Sequence, residues 1–187
     1  MQPVRRGNSP GNGREHRGTL HAVQDGHESI EARKREIRKE RERELLDPSR
    51  WLWRDLVRRA YDPSAGFATF SLPEKQYFSV NLLQNEVWNG GFHQYFFNSS
   101  GSYYTHALAG LKNMGALRAL ALLEEAKQVV FRDDHVPEET RRRRMILVGT
   151  LSEASWSRLG QLDDAYCKDP DGLELRIEEF AHRHQLI

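Results

Sequence analysis

Apolar side chains recur at helical spacing along most of the chain after Pro48, and no segment alternates convincingly as a strand would. Residues 1–26 contain almost nothing that a core could bury, so we expect disorder there. Residues 28–46 are helix formers with opposite charges one turn apart, which predicts a solvated helix with a thin apolar seam. The pattern therefore predicts an all-α protein, with a compact irregular multi-helix bundle over residues 49–187 and a disordered or solvated helical arm over residues 1–48.

Proline, glycine and small polar residues mark the predicted helix ends. Pro73 stands in the first turn of a helix that should end near Asn89, and Gly115 should end a later one. The other helix starts are predicted at Ser102, Ala116, Pro137–Glu139, Ser152 and Asp169–Pro170.

The stretch from residue 81 to residue 101, NLLQNEVWNGGFHQYFFNSSG, is the least ordinary part of the sequence. Apolar residues occupy most of the circumference of its first helix, so we expect that helix to be buried. Three asparagines spaced by four lie along one edge of this helix, and we expect them to be buried with it: Asn81, Asn85 and Asn89. Gly90–Gly91 predicts a sharp bend, after which a short aromatic helix returns to the core and a polar loop follows.

Two interpretations of the polar residues in this stretch remain open. Glu86 could be a buried carboxylate with a raised pKa that does acid or base chemistry in a polar pocket. Alternatively, these residue types satisfy backbone groups at the helix ends and the bend, which is the interpretation we favour. The candidate binding residues are Asn85, Glu86, Asn89, Gly90, Gly91, Phe92, Gln94, Tyr95 and Asn98.

Several classes of site lack support in the sequence. The single cysteine, Cys167, excludes an intramolecular disulfide and a cysteine-based zinc site, and it fits a reducing, cytoplasmic setting. We expect it to be a partly buried helix residue rather than a nucleophile. His93 and His106 match no metal-ligand spacing, so we predict no metal, no cofactor and no catalytic residue. No apolar run approaches the ~20 residues of a membrane span.

Charge is nearly balanced along the chain. The chain has 28 basic residues (Lys and Arg) and 27 acidic ones (Asp and Glu). Residues 1–48 contain 11 basic and 9 acidic residues, and residues 49–187 contain 17 basic and 18 acidic ones. The arm interleaves its arginines with glutamates, which favours a solvated helix over a nucleic-acid contact. A row of four arginines should point in all directions around a helix, which favours a solvated face over a nucleic-acid patch. This row is Arg141, Arg142, Arg143 and Arg144.

Residues 85–101, called the NGGF motif below, resemble the motif of the bacterial DNA-mimic-protein domain family, N-E-x-x-N-G-G-F-x-Q-Y-F-x-N-S-x-G. The matching positions are Asn85, Glu86, Asn89, Gly90, Gly91, Phe92, Gln94, Tyr95, Phe96, Asn98, Ser99 and Gly101. A small-residue helix over residues 107–114 and the pattern Leu162, Asp163, Asp164, Tyr166 are also similar to the family. The resemblance covers about residues 50–184 and implies an all-helical domain. The family is named for a member that imitates the charge of DNA and occupies a DNA-binding regulator.

Mimicry of DNA requires an acid-rich surface, and the balanced charge of residues 49–187 does not supply one. We therefore expect a non-enzymatic interaction or regulatory domain that binds another macromolecule, in the first place a protein. The alternative is a small enzyme or ligand-binding protein that uses the polar pocket around Glu86. A closed motif with an apolar patch elsewhere would favour the partner, whereas an open cleft with Glu86 at its base would favour the ligand. The sequence does not indicate an oligomeric state.

Overall fold

The backbone separates into two units between Asp47 and Pro48. The computed structural model describes residues 30–40, 46–64 and 66–187, without the side chain of Thr150. In the N-terminal unit, residues 30–40 are helical, and Ile30 and Ile37 on this helix are 54% and 44% exposed. The predicted disorder of residues 1–26 and part of the predicted arm helix lie outside the described residues.

The described residues form helices and no strand, which confirms the all-α fold. Two short 3₁₀ turns, Phe67–Thr69 and Ser99–Tyr103, connect α-helices in the C-terminal unit. The α-helices of this unit are α1 (Pro48–Ala60), α2 (Leu72–Phe97), α3 (Tyr104–Asn113), α4 (Leu117–Phe131), α5 (Thr140–Thr150), α6 (Glu153–Cys167) and α7 (Leu173–Arg183). Across the described chain, no helix is both long and apolar enough to cross a membrane.

Helix α2 is the central element, because it packs against α1, α3, α5, α6 and α7. Its start is fixed by a capping box, in which Ser71 Oγ accepts a hydrogen bond from the Glu74 amide and the Glu74 carboxylate accepts one from the Ser71 amide. Pro73 stands in the first turn, as predicted. The α2 residues that enter the core are Tyr77, Phe78, Val80, Leu83, Val87, Phe92, Tyr95 and Phe96.

Two predicted helix starts are wrong. Ser102 does not cap α3, because its hydroxyl donates to Glu138 O at 2.7 Å and α3 continues directly from a 3₁₀ turn. Asp169–Pro170 does not open the last helix. That helix begins at Leu173, after Gly172, whose backbone is in the left-handed conformation. The Asp169 carboxylate instead accepts from the Leu173 amide at 2.7 Å. Asp169 bonds across a turn, whereas Ser102 reaches a residue 36 positions away, and local sequence patterns do not distinguish either case from a cap.

The remaining boundaries follow the sequence more closely. Ser152 caps α6 by accepting from the Ser155 amide, as predicted. Gly115, with φ 73°, follows the end of α3. Helix α5 begins at Thr140, slightly later than the predicted start at Pro137–Glu139, with Glu139 as its N-cap residue.

Candidate functional site

The NGGF motif bends α2 at two adjacent glycines. Gly90 has φ −167° and ψ 22°, and Gly91 has φ 76° and ψ −178°, so α2 consists of a first segment, residues 72–89, and a second segment, residues 92–97. A positive φ at Gly91 favours glycine, and a Cβ there would also overlap the Asp163 carboxylate. Asp163 Oδ1 accepts a hydrogen bond of 2.7 Å from the Phe92 amide, which caps the second segment. The predicted bend is confirmed.

The Glu86 carboxylate joins both segments of α2 to the turn that follows. Its Oε2 accepts hydrogen bonds from Gln94 Nε2 at 2.7 Å and Asn98 Nδ2 at 2.9 Å, and its Oε1 accepts one from Ser100 Oγ at 2.9 Å. Both carboxylate oxygens are thus engaged by side chains of the motif itself. This arrangement holds the bend in place and supports a structural role for Glu86.

The asparagine edge of α2 is less buried than predicted. Asn81 is half-buried, but Asn85 and Asn89 are exposed, so the prediction of buried asparagines is wrong for these two. The core does not surround this part of α2 on every side, because Trp88, next to Asn89, is itself 55% exposed. Asn89 donates its amide to Asn85 O at 2.7 Å, and Asn81 bonds Tyr77 O in the same way.

The aromatic side chains of the second segment belong to the core. Phe92, Tyr95 and Phe96 are fully buried, and Phe92 contacts Tyr166 edge to face with centroids 5.4 Å apart. The hydroxyls of Tyr95 and Tyr166 have no hydrogen-bond partner among the described residues. Burial raises the pKa of both phenols well above its ordinary value, so they remain protonated at neutral pH.

Arg143 is fully buried, and the prediction that the arginine row is a solvated face is wrong at this position. Its guanidinium donates five hydrogen bonds of 2.6 to 3.1 Å and ties the end of α2 to the start of α5. The acceptors are the carbonyl oxygens of Phe96, Asn98, Pro137 and Glu138 and the hydroxyl of Thr140. A Cβ on Gly101 would come within 2.8 Å of Arg143 Nε, so this motif glycine leaves room for the guanidinium.

Burial lowers the pKa of the Arg143 guanidinium. Among the described residues no carboxylate forms an ion pair with it. Its charge faces carbonyl oxygens near the C-terminal end of α2, where the helix dipole favours a cation.

Sequence reasoning did not select Asp163 or Arg143 as site residues. The signal for Asp163 was its place in the pattern at residues 162–166, which also resembles the family. The signal for Arg143 was its spacing of four from the buried Leu147, which puts both side chains on the inner face of α5.

An aromatic cluster of His93, Phe97 and Trp156 lies beside the motif. The His93 ring is 4.5 Å from Trp156 and 5.6 Å from Phe97, centroid to centroid, and the Arg144 guanidinium lies 4.6 Å above the Phe97 ring. Trp156 is 46% exposed. Burial lowers the His93 pKa although Asp163 acts in the opposite direction, so the imidazole is neutral at neutral pH and packs as a ring.

The outer face of α5 is exposed and continues from this cluster through Arg144. Met145 and Val148 are 68% and 80% exposed and lie at the centre of the face, because residues three and four apart share one side of a helix. The face contains an open depression lined by Thr140, Arg141, Arg144, Met145, Val148 and Gly149. We call these residues, together with the exposed Arg142, the α5 outer face. In the part of the chain that the structure describes, none of its arginines forms an ion pair.

The other candidates show less chemistry. A groove of 330 Å³ between α4 and α6 is lined by Arg118, Ala121, Leu122, Glu125, Ala165 and Pro170, and neither this groove nor the α5 depression includes Glu86. Cys167 is exposed at the end of α6, not partly buried as predicted, and desolvation raises its pKa. The described residues contain no group of three or more His, Cys, Asp or Glu side chains arranged to hold a metal ion.

Comparison with protein families gives a match to the family described as DMP19-like protein over residues 68–184. The match spans α2 to α7, and it includes the NGGF motif, Asp163 and Arg143. Searches of curated proteins and of solved structures found no match. Because the family model matches more than half of the chain, and the resemblance of the motif agrees with it, the chain belongs to the DMP19-like protein family.

Proposed function

We propose that the C-terminal unit is a non-enzymatic interaction domain that binds a protein partner through the α5 outer face and the aromatic cluster. The observation that carries the proposal is the contrast between these two regions and the motif. The Glu86 carboxylate and the Arg143 guanidinium are engaged within the fold, whereas Met145 and Val148 are open to solvent.

The composition of this surface matches the centre of protein interfaces. Trp, Met and Arg are enriched in such interfaces, and Trp and Arg are frequent among the residues that dominate binding energy. Trp156, Met145 and Arg144 supply these three types. The rings of His93 and Phe97 connect Trp156 to Arg144, which lies next to Met145 on α5. Contiguous exposed apolar surface with a polar rim is typical of an interaction site, and Met145 and Val148 are exposed neighbours on one side of α5.

The alternative function, a small enzyme or ligand-binding protein that uses Glu86, has less support. An ionised carboxylate has about four acceptor sites, and three hydrogen bonds from the motif already occupy most of those on Glu86. Each Glu86 oxygen accepts at least one hydrogen bond from the motif, and the buried phenol of Tyr95 stays protonated. The candidate binding residues Asn85 and Asn89 are exposed but bond to each other along the helix.

Membership of the family does not by itself assign the activity of the member for which it is named. The most acidic part of the unit, residues 163–179, carries seven acidic residues and two basic ones. The α5 outer face, by contrast, is basic. DNA mimicry would use a different surface from the one proposed here.

The test is affinity capture with the full chain from cells of the source organism, with bound proteins quantified by mass spectrometry. We expect a partner that the wild type retains and that the double variant Met145→Glu, Val148→Glu loses. Leu175→Glu is the matched control, because Leu175 is 61% exposed on α7 and lies outside the proposed surface. Thermal midpoints of all variants show that each protein folds.

Two outcomes would contradict the proposal. One is a set of captured proteins that does not change between the wild type and the α5 double variant. The other is a partner that Glu86→Gln loses while the α5 double variant keeps it, which would place the binding site in the motif.

A further inference from the structure

We infer that the α5 outer face takes an acidic amphipathic helix of the partner. This inference rests on the proposed function and specifies the chemistry of the segment that binds. It follows from the arrangement of charge on α5, from the size of the exposed face and from the glycine within it.

Guanidinium groups surround the apolar centre of α5. An α-helix turns by 100° per residue, which puts Met145 and Val148 in the middle of the exposed face. Arg144 lies on one side of this pair and Arg142 lies on the other. Arg141 lies on the same face, closer to the start of the helix. All three arginines are exposed, and within the described residues they form no ion pair. Complementary charge on a partner therefore means carboxylates on both sides of an apolar stripe.

The dimensions of the face suit a helix. Helix α5 has 11 residues, so its length is about 16 Å at the usual rise per residue. An amphipathic helix of about three turns covers this length with apolar side chains at spacings of three and four. Such a helix places its acidic residues on both flanks of its apolar stripe, opposite the arginines.

Gly149 provides a gap in the face. It is exposed within a helix, where glycine is a poor choice, and a Cβ at this position would meet nothing within 4 Å. The missing side chain lowers the surface next to Val148, so that a side chain of the docked helix can enter. A bulky residue at position 149 should therefore block docking while it favours α5 itself.

A nucleic acid fits this face less well than a peptide. A phosphate backbone could meet the exposed arginines, but it has no apolar groups to cover the exposed Met145 and Val148. Met145 and Val148 offer phosphates no interaction, but they match the apolar stripe of a helix. A labelled DNA duplex and a labelled single strand are accordingly included as probes in the test.

The test is a selection from a displayed library of helical peptides with randomised surface positions, with the full chain as the target. We expect the selected peptides to carry an excess of Asp and Glu around an apolar stripe. A synthetic consensus peptide should bind more weakly as salt is added. In fluorescence anisotropy, Met145→Ala with Val148→Ala, and separately Arg141→Glu, should each raise its Kd about tenfold or more.

Gly149→Gln is the decisive variant. It should raise the thermal midpoint of the protein, and yet it should raise the Kd for the consensus peptide about tenfold or more, as the other variants of the face do. Leu175→Ala should leave the Kd unchanged. Selected peptides that are neutral or basic would overturn the inference, as would peptides that bind the Gly149→Gln protein normally, or DNA probes that displace the peptide.

Failure of the inference is distinguishable from failure of the proposed function. If the α5 double variant loses its captured partner but no acidic peptide is selected, the inference falls and the proposed function stands. If capture does not depend on α5 and selected peptides bind elsewhere, both fall.

Discussion

Replacing Arg143 with methionine removes a buried positive charge and five hydrogen-bond donors while it keeps an unbranched side chain of similar length. Four of the acceptors are backbone carbonyls. Those of Asn98 and Glu138 retain a second donor, but for Phe96 O and Pro137 O the structure shows no other donor among the described residues. The replacement therefore leaves two backbone acceptors without a partner at a buried position.

Each unsatisfied buried acceptor costs about 1–3 kcal/mol, so the two together cost about 2–6 kcal/mol. The desolvation of the guanidinium is relieved at the same time, which offsets part of this cost. We expect Arg143→Met to lower the free energy of unfolding by about 2–4 kcal/mol. Arg143→Lys should also be less stable than the wild type, because an ammonium group has three donors and cannot reproduce the five donors of the planar guanidinium.

The assay is urea unfolding followed by circular dichroism, with the midpoint and the slope fitted separately. Arg142→Met is the matched control, since Arg142 is the exposed neighbour on the same helix and should change stability by less than about 0.5 kcal/mol. Arg143→Met with the same stability as Arg142→Met would refute the role assigned to the buried guanidinium.

Three further predictions concern the motif and the aromatic cluster. Gly91→Ala should lower the free energy of unfolding by about 2–4 kcal/mol, because position 91 has a positive φ and a Cβ there meets the Asp163 carboxylate. Gly160→Ala is the control and should be neutral or stabilising, since Gly160 is exposed on a helix with open space around it. Equal unfolding midpoints for the two variants would contradict this prediction. Glu86→Gln should stay within about 1 kcal/mol of the wild type, since one amide oxygen can accept from both motif amides, while Glu86→Ala should lose about 2–4 kcal/mol in the same urea assay. Burial lowers the folded pKa of His93 below its ordinary value, so protonation favours the unfolded chain and stability should fall as the pH drops below that ordinary value. His93→Gln should show a smaller fall between about pH 7 and about pH 5, and identical pH profiles would exclude this role for His93.

The sequence predicted the helices well wherever apolar periodicity and backbone chemistry agree. The break after Asn89 followed from two adjacent glycines, and the start of α6 followed from Ser152. The start of α7 did not follow, because Asp169 bonds the Leu173 amide across a turn that ends in a left-handed glycine. Such a turn and an N-cap use the same residue types, so composition alone does not separate them.

The candidate site was harder to predict because it depends on contacts between distant segments. Glu86 meets Gln94, Asn98 and Ser100 within a short stretch, and a structural role for these residues was predictable. Arg143 bonds Phe96 O across 47 positions, and the row of arginines does not by itself indicate which member turns inward. The spacing of four from Leu147 favours Arg143, but its acceptors are brought together only by the packing of α5 against α2.

The residues that identify the family and the residues proposed to bind a partner perform different tasks. Within the NGGF motif, Gly91 makes room for Asp163, Gly101 makes room for Arg143, and Glu86 gathers the donors around the bend. Each of these roles is fulfilled inside the fold. The α5 outer face lies outside the motif, and its exposed side chains contribute little to the core that the motif organises. A motif of this kind therefore specifies how α2 is built, whereas the proposed binding of a partner would depend on the side chains that α5 presents to solvent.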